Sequence, residues 1–146
     1  MSNDLTRTIW TELSGLDFTV TTVDAGGVPT RSLQAGDGPE TVVFLHGTSG
    51  HLEAFMRNIR AHAEKYTVHA IDMLGHGYTG KPDYPYEIGR YRDHLLAYFD
   101  ATGIDKAHIG GESLGGWSVP EPRSTTPTGS PPCSCSVRGA PWPTPT

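Results

Sequence analysis

Only two of the 146 residues are cysteine, Cys133 and Cys135. They stand too close together for an ordinary disulfide staple and are too few for a zinc centre, and no function is assigned to them. Positive charge is also scarce: eleven Lys and Arg stand against sixteen Asp and Glu, for a formal net charge of -5. The basic residues are scattered, so nucleic acid is not an expected partner. No apolar run approaches the length of a membrane span, and the opening MSNDLTRTIW lacks the basic-then-apolar layout of a secretory signal. A cytoplasmic protein with no membrane partner is the expectation. The seven histidines, at 46, 51, 62, 69, 76, 94 and 108, show no HExxH-type spacing. They are expected to be loop and surface residues rather than ligands, and no metal is predicted.

What remains is two compositions in one chain. Residues 118–146 number 29, of which 18 are Pro, Ser or Thr, including eight of the chain's twelve prolines. Leu, Ile, Phe, Met, Tyr, His, Asp and Lys are absent there. Such a stretch buries too little apolar surface to offset its ordering entropy, so it is predicted to be a disordered tail. Residues 1–117 are predicted to form a partial α/β domain.

Within 1–117, strand and helix signals alternate. Phe18 to Gly27 and Val28 to Gly38 read as two antiparallel strands turning at Gly26 and Gly27. TVVFLHG, Thr41 to Gly47, is a continuous apolar run of the buried parallel kind. Leu52, Phe55, Met56, Ile59 and Ala63 stripe one face of a helix. Tyr66 to Gly77 reads as a second buried strand with a glycine-rich exit. Ile88, Tyr91, Leu95 and Phe99 stripe a second helix, which Gly103 caps, and Lys106 to Gly111 is a short strand. Strands alternating with helices predict a parallel sheet with crossover helices on both faces.

The last of these strands runs into Gly111-Glu112-Ser113-Leu114-Gly115, a GxSxG pattern between a strand and an expected helix. A sharp turn there lifts a serine oxygen clear of the backbone, and the flanking glycines let neighbouring chain approach. The free N–H groups of a helix start also favour negative charge beside it. LHGTSG, Leu45 to Gly50, leaves a neighbouring parallel strand at the same end of the sheet, so its amides are placed to join that of Leu114. Asp72, ending a strand, reads as the residue that fixes its turn rather than as a catalytic acid.

The run from TVVFLHGTSGHLEAFMRNI through IDMLGHGYTGKPD to AHIGGESLGGW resembles the amino-terminal half of an α/β-hydrolase, over about residues 15–117. It is most similar to the bacterial hydrolases of aromatic meta-cleavage products, which break a carbon–carbon bond in 2-hydroxy-6-oxo-dienoates. The resemblance implies Ser113 as nucleophile, Thr48 and Leu114 as oxyanion-hole amides, a small-molecule substrate, and no organic cofactor. It implies a structural role for His46. It leaves the oligomeric state open.

In that fold the catalytic order is Ser, then Asp or Glu, then His. Here every histidine precedes Ser113 and no Asp follows it. Without its general base a serine is a poor nucleophile at neutral pH, so the chain as written is expected to be inactive. Its elbow strand is expected to form an uncovered, aggregation-prone edge. The genetic code offers a reason. With Ser as TCN and Arg as CGN, reading from the third base of the Trp117 codon admits VGARAALDHPDRV, close to the helix and turn that follow the elbow in the family. The shifted codons of Pro132 to Ser136 then permit an apolar run. A slipped reading frame after Trp117 is therefore expected. Two other readings stand beside the carbon–carbon hydrolase: an esterase or lactonase on the same scaffold, and a non-catalytic protein whose Pro-rich tail binds an aromatic-lined groove.

Overall fold

A computed structural model describes residues 8–120. The stretch from 121 onward, including both cysteines and most of the expected disordered tail, lies outside the described residues. Strands β1 (Phe18–Ala25) and β2 (Val28–Ala35) pair antiparallel, with Ala25 opposite Val28. The two-residue turn between them requires left-handed backbone at both positions, and Gly26 and Gly27 supply φ of +62° and +87°. The Asp24 carboxylate accepts the Gly27 N–H at 2.7 Å.

Strands β3 (Thr41–Leu45), β4 (Thr67–Ile71) and β5 (His108–Gly111) complete a five-stranded sheet in the order β1-β2-β4-β3-β5. The register sets Thr41 beside Thr67 and Val42 beside His108 in the parallel part, while Ser32 opposes Ile71 where β2 meets β4 antiparallel. The sheet is thus mixed, and β1 and β5 are its two edges among the described residues.

Side chains alternate cleanly between the two faces. Leu33, Val42, Phe44, Val68 and Ala70 pack against Met56 and Ile59 of helix α1 (Met56–Ala63). Val43, Leu45, Ile71 and Ile109 pack with Tyr91, Leu95, Tyr98 and Phe99 of helix α2 (Ile88–Thr102). Both faces of β3 and β4 are therefore covered, which is why these strands read as unbroken apolar runs. The stripe from Leu52 to Ala63 divides into a 3-10 turn, Leu52–Phe55, and then α1. The tighter start follows from the Ala54 N–H bonding His51 O three residues back, at 3.0 Å. Helix α2 ends where expected, at Gly103 with φ +71°.

His46 is buried but stands in the loop after β3, whereas the expectation that histidines sit in loops and at the surface fails at two others, His69 of β4 and His94 of α2, which are buried. The last two lie between α2 and the sheet. His94 Nε2 meets Thr30 Oγ at 2.7 Å, and His69 Nδ1 meets the Tyr98 hydroxyl at 2.7 Å, which also meets Ser32 Oγ at 2.5 Å. Each imidazole has a neutral hydroxyl partner, so it is buried uncharged. Desolvation lowers both pKa values to about 4. A short 3-10 segment, Ile9–Leu13, carries no sequence signal and buries Leu13.

Candidate active site

The loops leaving β3, β4 and β5 meet at one end of the sheet. Ser113 stands between β5 and the short helix α3 (Leu114–Trp117), with φ +48° and ψ -111°, a left-handed backbone that a non-glycine residue adopts only under constraint. The constraint is the packing of its glycines. A Cβ on Gly111 would lie 2.6 Å from the Gly116 nitrogen, and one on Gly115 would lie 2.2 Å from the Leu45 oxygen. The Glu112 N–H donates to Leu45 O at 3.0 Å, tying the elbow to the end of β3. Ser113 itself is exposed.

The loop after β3 lies against this elbow. A Cβ on Gly47 would stand 3.5 Å from both Ser113 Cβ and the Glu112 oxygen. Thr48 follows directly, and Ser49 takes φ +63°. Among the described residues, the N–H groups of Thr48 and Leu114 donate to no protein acceptor. The structure therefore sets the loop that carries Thr48 beside the elbow that carries Ser113 and Leu114, with space for about one methyl group between Gly47 and Ser113 Cβ.

His46 is fully buried and shapes the loop. The Met73 N–H donates to Nε2 at 2.9 Å, so Nδ1 carries the proton and donates to Gly47 O at 2.7 Å. Burial, the largest influence, lowers its pKa. His76 packs edge-on to it at 5.1 Å between ring centroids, and its Nδ1 donates to Leu74 O at 2.9 Å. Neither ring forms a hydrogen bond with Ser113 among the described residues.

Asp72 is buried at the exit of β4. Its carboxylate accepts the N–H groups of Leu52 at 2.7 Å and Tyr78 at 2.9 Å. Gly77, at φ +52°, permits this approach, because a Cβ there would lie 2.2 Å from Asp72 Oδ2. Arg31 of β2 adds a 3.3 Å contact to Asp72 and a two-pronged bond to Glu53 at 2.6 and 3.2 Å. Burial would lower the Arg31 pKa, but these carboxylates outweigh it and raise it. Burial likewise works to raise Glu53, and the Arg31 bonds hold it below the usual range. The Arg31–Glu53 pair had no sequence signal, since its members lie 22 residues apart on different elements.

Trp117 is not the end of the packed chain. The Ser118 hydroxyl donates to Leu114 O at 2.7 Å, and Val119 joins the core on the α2 face. Among the described residues no cluster of His, Cys, Asp and Glu is arranged to hold a metal ion, and no helix is long and apolar enough to cross a membrane.

A mixed sheet with helices on both faces, a left-handed serine between strand and helix, and a glycine loop packed against it define a class. Residues 40–117 match the model of the α/β hydrolase fold, and the chain belongs to that family. Among its relatives, a 2-hydroxy-6-oxo-6-(2'-aminophenyl)hexa-2,4-dienoic acid hydrolase of Metapseudomonas resinovorans is 44% identical over 98 residues, covering 64% of this chain and 33% of that protein. The dihydrolipoyllysine-residue acetyltransferase component of the acetoin cleaving system of Cupriavidus necator is 36% identical over 93 residues, 64% of this chain and 25% of that one. Among solved structures, a serine hydrolase involved in carbazole degradation superposes with a TM-score of 0.63 at 40% identity, over 68% of this chain and 40% of that one. The chain thus matches a quarter to a third of the length of these curated relatives.

Proposed function

We propose that these residues are the nucleophile half of a serine hydrolase that cleaves a carbon–carbon bond in 2-hydroxy-6-oxo-dienoates, small products of aromatic ring cleavage. Ser113 is the nucleophile, and the N–H groups of Thr48 and Leu114 form the oxyanion hole. The observation that carries this reading is the approach of the Gly47 loop to Ser113, an exposed residue at φ +48°, with the N–H groups of Thr48 in that loop and of Leu114 in the elbow free of protein acceptors among the described residues. The likeness to the Metapseudomonas dienoic acid hydrolase and to the carbazole-pathway serine hydrolase supports the substrate class.

In the ketonised substrate, attack on the carbonyl by Ser113 Oγ, or by a water activated beside it, develops an oxyanion. Two N–H donors stabilise that charge better than water does, and one such donor is worth about 100- to 1000-fold in rate. Attack also requires a base to remove the proton. His46 cannot take it, since both ring nitrogens are occupied, and no Asp or His follows Ser113 in the sequence. The chain as written therefore lacks its base and is catalytically silent. In this reading residues 1–117 are the in-frame part of a hydrolase domain and 118–146 an out-of-frame tail, in a protein that acts in the cytoplasm.

A fluorophosphonate probe tests the nucleophile. Intact-mass analysis is expected to show slow addition of one probe, mapped to Ser113 and abolished by Ser113→Ala. No adduct, or an adduct elsewhere, contradicts the assignment.

A further inference from the structure

At the end of the sheet away from Ser113 lies a cavity of about 560 Å³. Thr41 and Thr67, the first residues of β3 and β4, form its floor, and residues 102–106, leading from α2 to β5, form one wall. His69 opens into it although only 4% exposed.

The proton on His69 follows from its neighbours. Ser32 Oγ, the Tyr98 hydroxyl and His69 Nδ1 form a buried chain at 2.5 and 2.7 Å, and Ser32 Oγ has no other partner among the described residues. If Ser32 donates to Tyr98 and Tyr98 to His69, every buried hydrogen in the chain has an acceptor. The reverse order leaves the Ser32 hydrogen buried and unpaired, which is costly. The first order leaves the His69 proton on Nε2, the nitrogen turned away from Tyr98, and this nitrogen has no partner among the described residues. A nine-tenths-buried imidazole thus presents an unpaired N–H to an open cavity.

Other groups in the lining extend the pattern. The Lys106 ammonium and the Thr41 hydroxyl are without protein partners among the described residues. The Thr67 and Thr102 hydroxyls are not available as donors, because they bond Gly38 O at 2.8 Å and Tyr98 O at 2.7 Å. Asp105 is the one carboxylate in the lining among the described residues and is exposed. One cation, the neutral N–H groups of His69 and the Gln34 amide, and a hydroxyl, set against a single opposing carboxylate, suit one delocalised negative charge better than a compact dianion.

We propose that this cavity binds a small organic monocarboxylate, held by the His69 Nε2–H, the Lys106 ammonium and the Thr41 hydroxyl. The site is independent of Ser113 and of the reaction assigned to it. Through Tyr98 it connects the cavity to the middle of α2.

The test uses residues 1–146 at neutral pH, with nitrogen-15 spectra of the backbone and imidazoles recorded during titration with butyrate, with butyramide as its neutral isostere, and with inorganic phosphate. Butyrate is expected to give saturable shifts at the His69 ring and at the Thr41 and Lys106 amides, with affinity about tenfold above that of butyramide. The exposed substitutions carry opposite signs: Lys106→Met weakens butyrate by about two- to fivefold, and Asp105→Asn tightens it by a similar factor. Equal binding of butyrate and butyramide, tighter binding of phosphate, or shifts unchanged by both substitutions would overturn the proposal.

Discussion

The N–H of Met73 lies 2.9 Å from Nε2 of His46, and this one bond fixes the protonation of the histidine that precedes Gly47 in the loop beside the elbow. A backbone N–H can only donate, so Nε2 is bare, and Nδ1 holds the proton that bonds Gly47 O at 2.7 Å. The ring is a brace between the loops after β3 and β4. Replacing it by Ala leaves one N–H with no acceptor in a buried site, so His46→Ala is expected to lose about 2–4 kcal/mol from cavity and unpaired polar groups together. Denaturant unfolding at pH 7.5 checks this. The same stability as the parent would refute the brace.

Asp72 holds two backbone N–H groups and faces Arg31. Asp72→Ala leaves these two backbone N–H groups without an acceptor and takes one of two carboxylates from Arg31, and is expected to cost about 3–5 kcal/mol. Amide exchange distinguishes this from general weakening, because Leu52 and Tyr78 are expected to lose protection first.

Two glycines give opposite signs. Gly115→Ala drives a methyl to 2.2 Å from the Leu45 oxygen, backbone against backbone, and is expected to cost at least about 3 kcal/mol or to prevent folding. Gly89, in the first turn of α2, has nothing within 4 Å of an added Cβ. There Gly89→Ala is expected to raise stability by about 0.5 kcal/mol, read as a higher melting temperature.

The buried histidines set the acid limit. His69 and His94 have pKa values near 4 when folded against 6.5 when exposed. The unfolded chain therefore binds more protons between those values, and stability falls as pH drops from about 6.5 toward 4. Each histidine contributes roughly 3 kcal/mol to that fall. Melting temperatures across pH 7.5 to 4.5 check the slope, which is expected to flatten in His94→Gln. A flat profile in the parent would contradict it.

How much of this was legible beforehand follows from what each residue contacts. The hairpin at Gly26 and Gly27, the runs of β3 and β4, and the cap at Gly103 are dictated locally, by turn conformation and burial on two faces, and the sequence states them directly. The elbow was legible because its glycines are forced by contact with Leu45 and with α3. The seam on α2 was not. The apolar stripe of Tyr91, Leu95 and Phe99 gives no hint that His94 and Tyr98 are buried beside it, because their partners Thr30 and Ser32 lie more than 60 residues away. Sheet order was legible only in part: the LHGTSG loop reads as leaving a strand beside that of the elbow, as β3 and β5 are, whereas nothing local to β2 tells that it pairs with β4.

The proposed role of Ser113 as nucleophile of a carbon–carbon hydrolase, with no base among residues 1–146, has a direct test. The most direct measurement follows the absorbance of a 2-hydroxy-6-oxo-dienoate with two proteins, residues 1–146 and the product of the same gene carrying one base change in length at the Trp117 codon. The expected result is no turnover by the first, turnover by the second, and loss of the latter on Ser113→Ala. Turnover by residues 1–146, or none after the frame is restored, would contradict it.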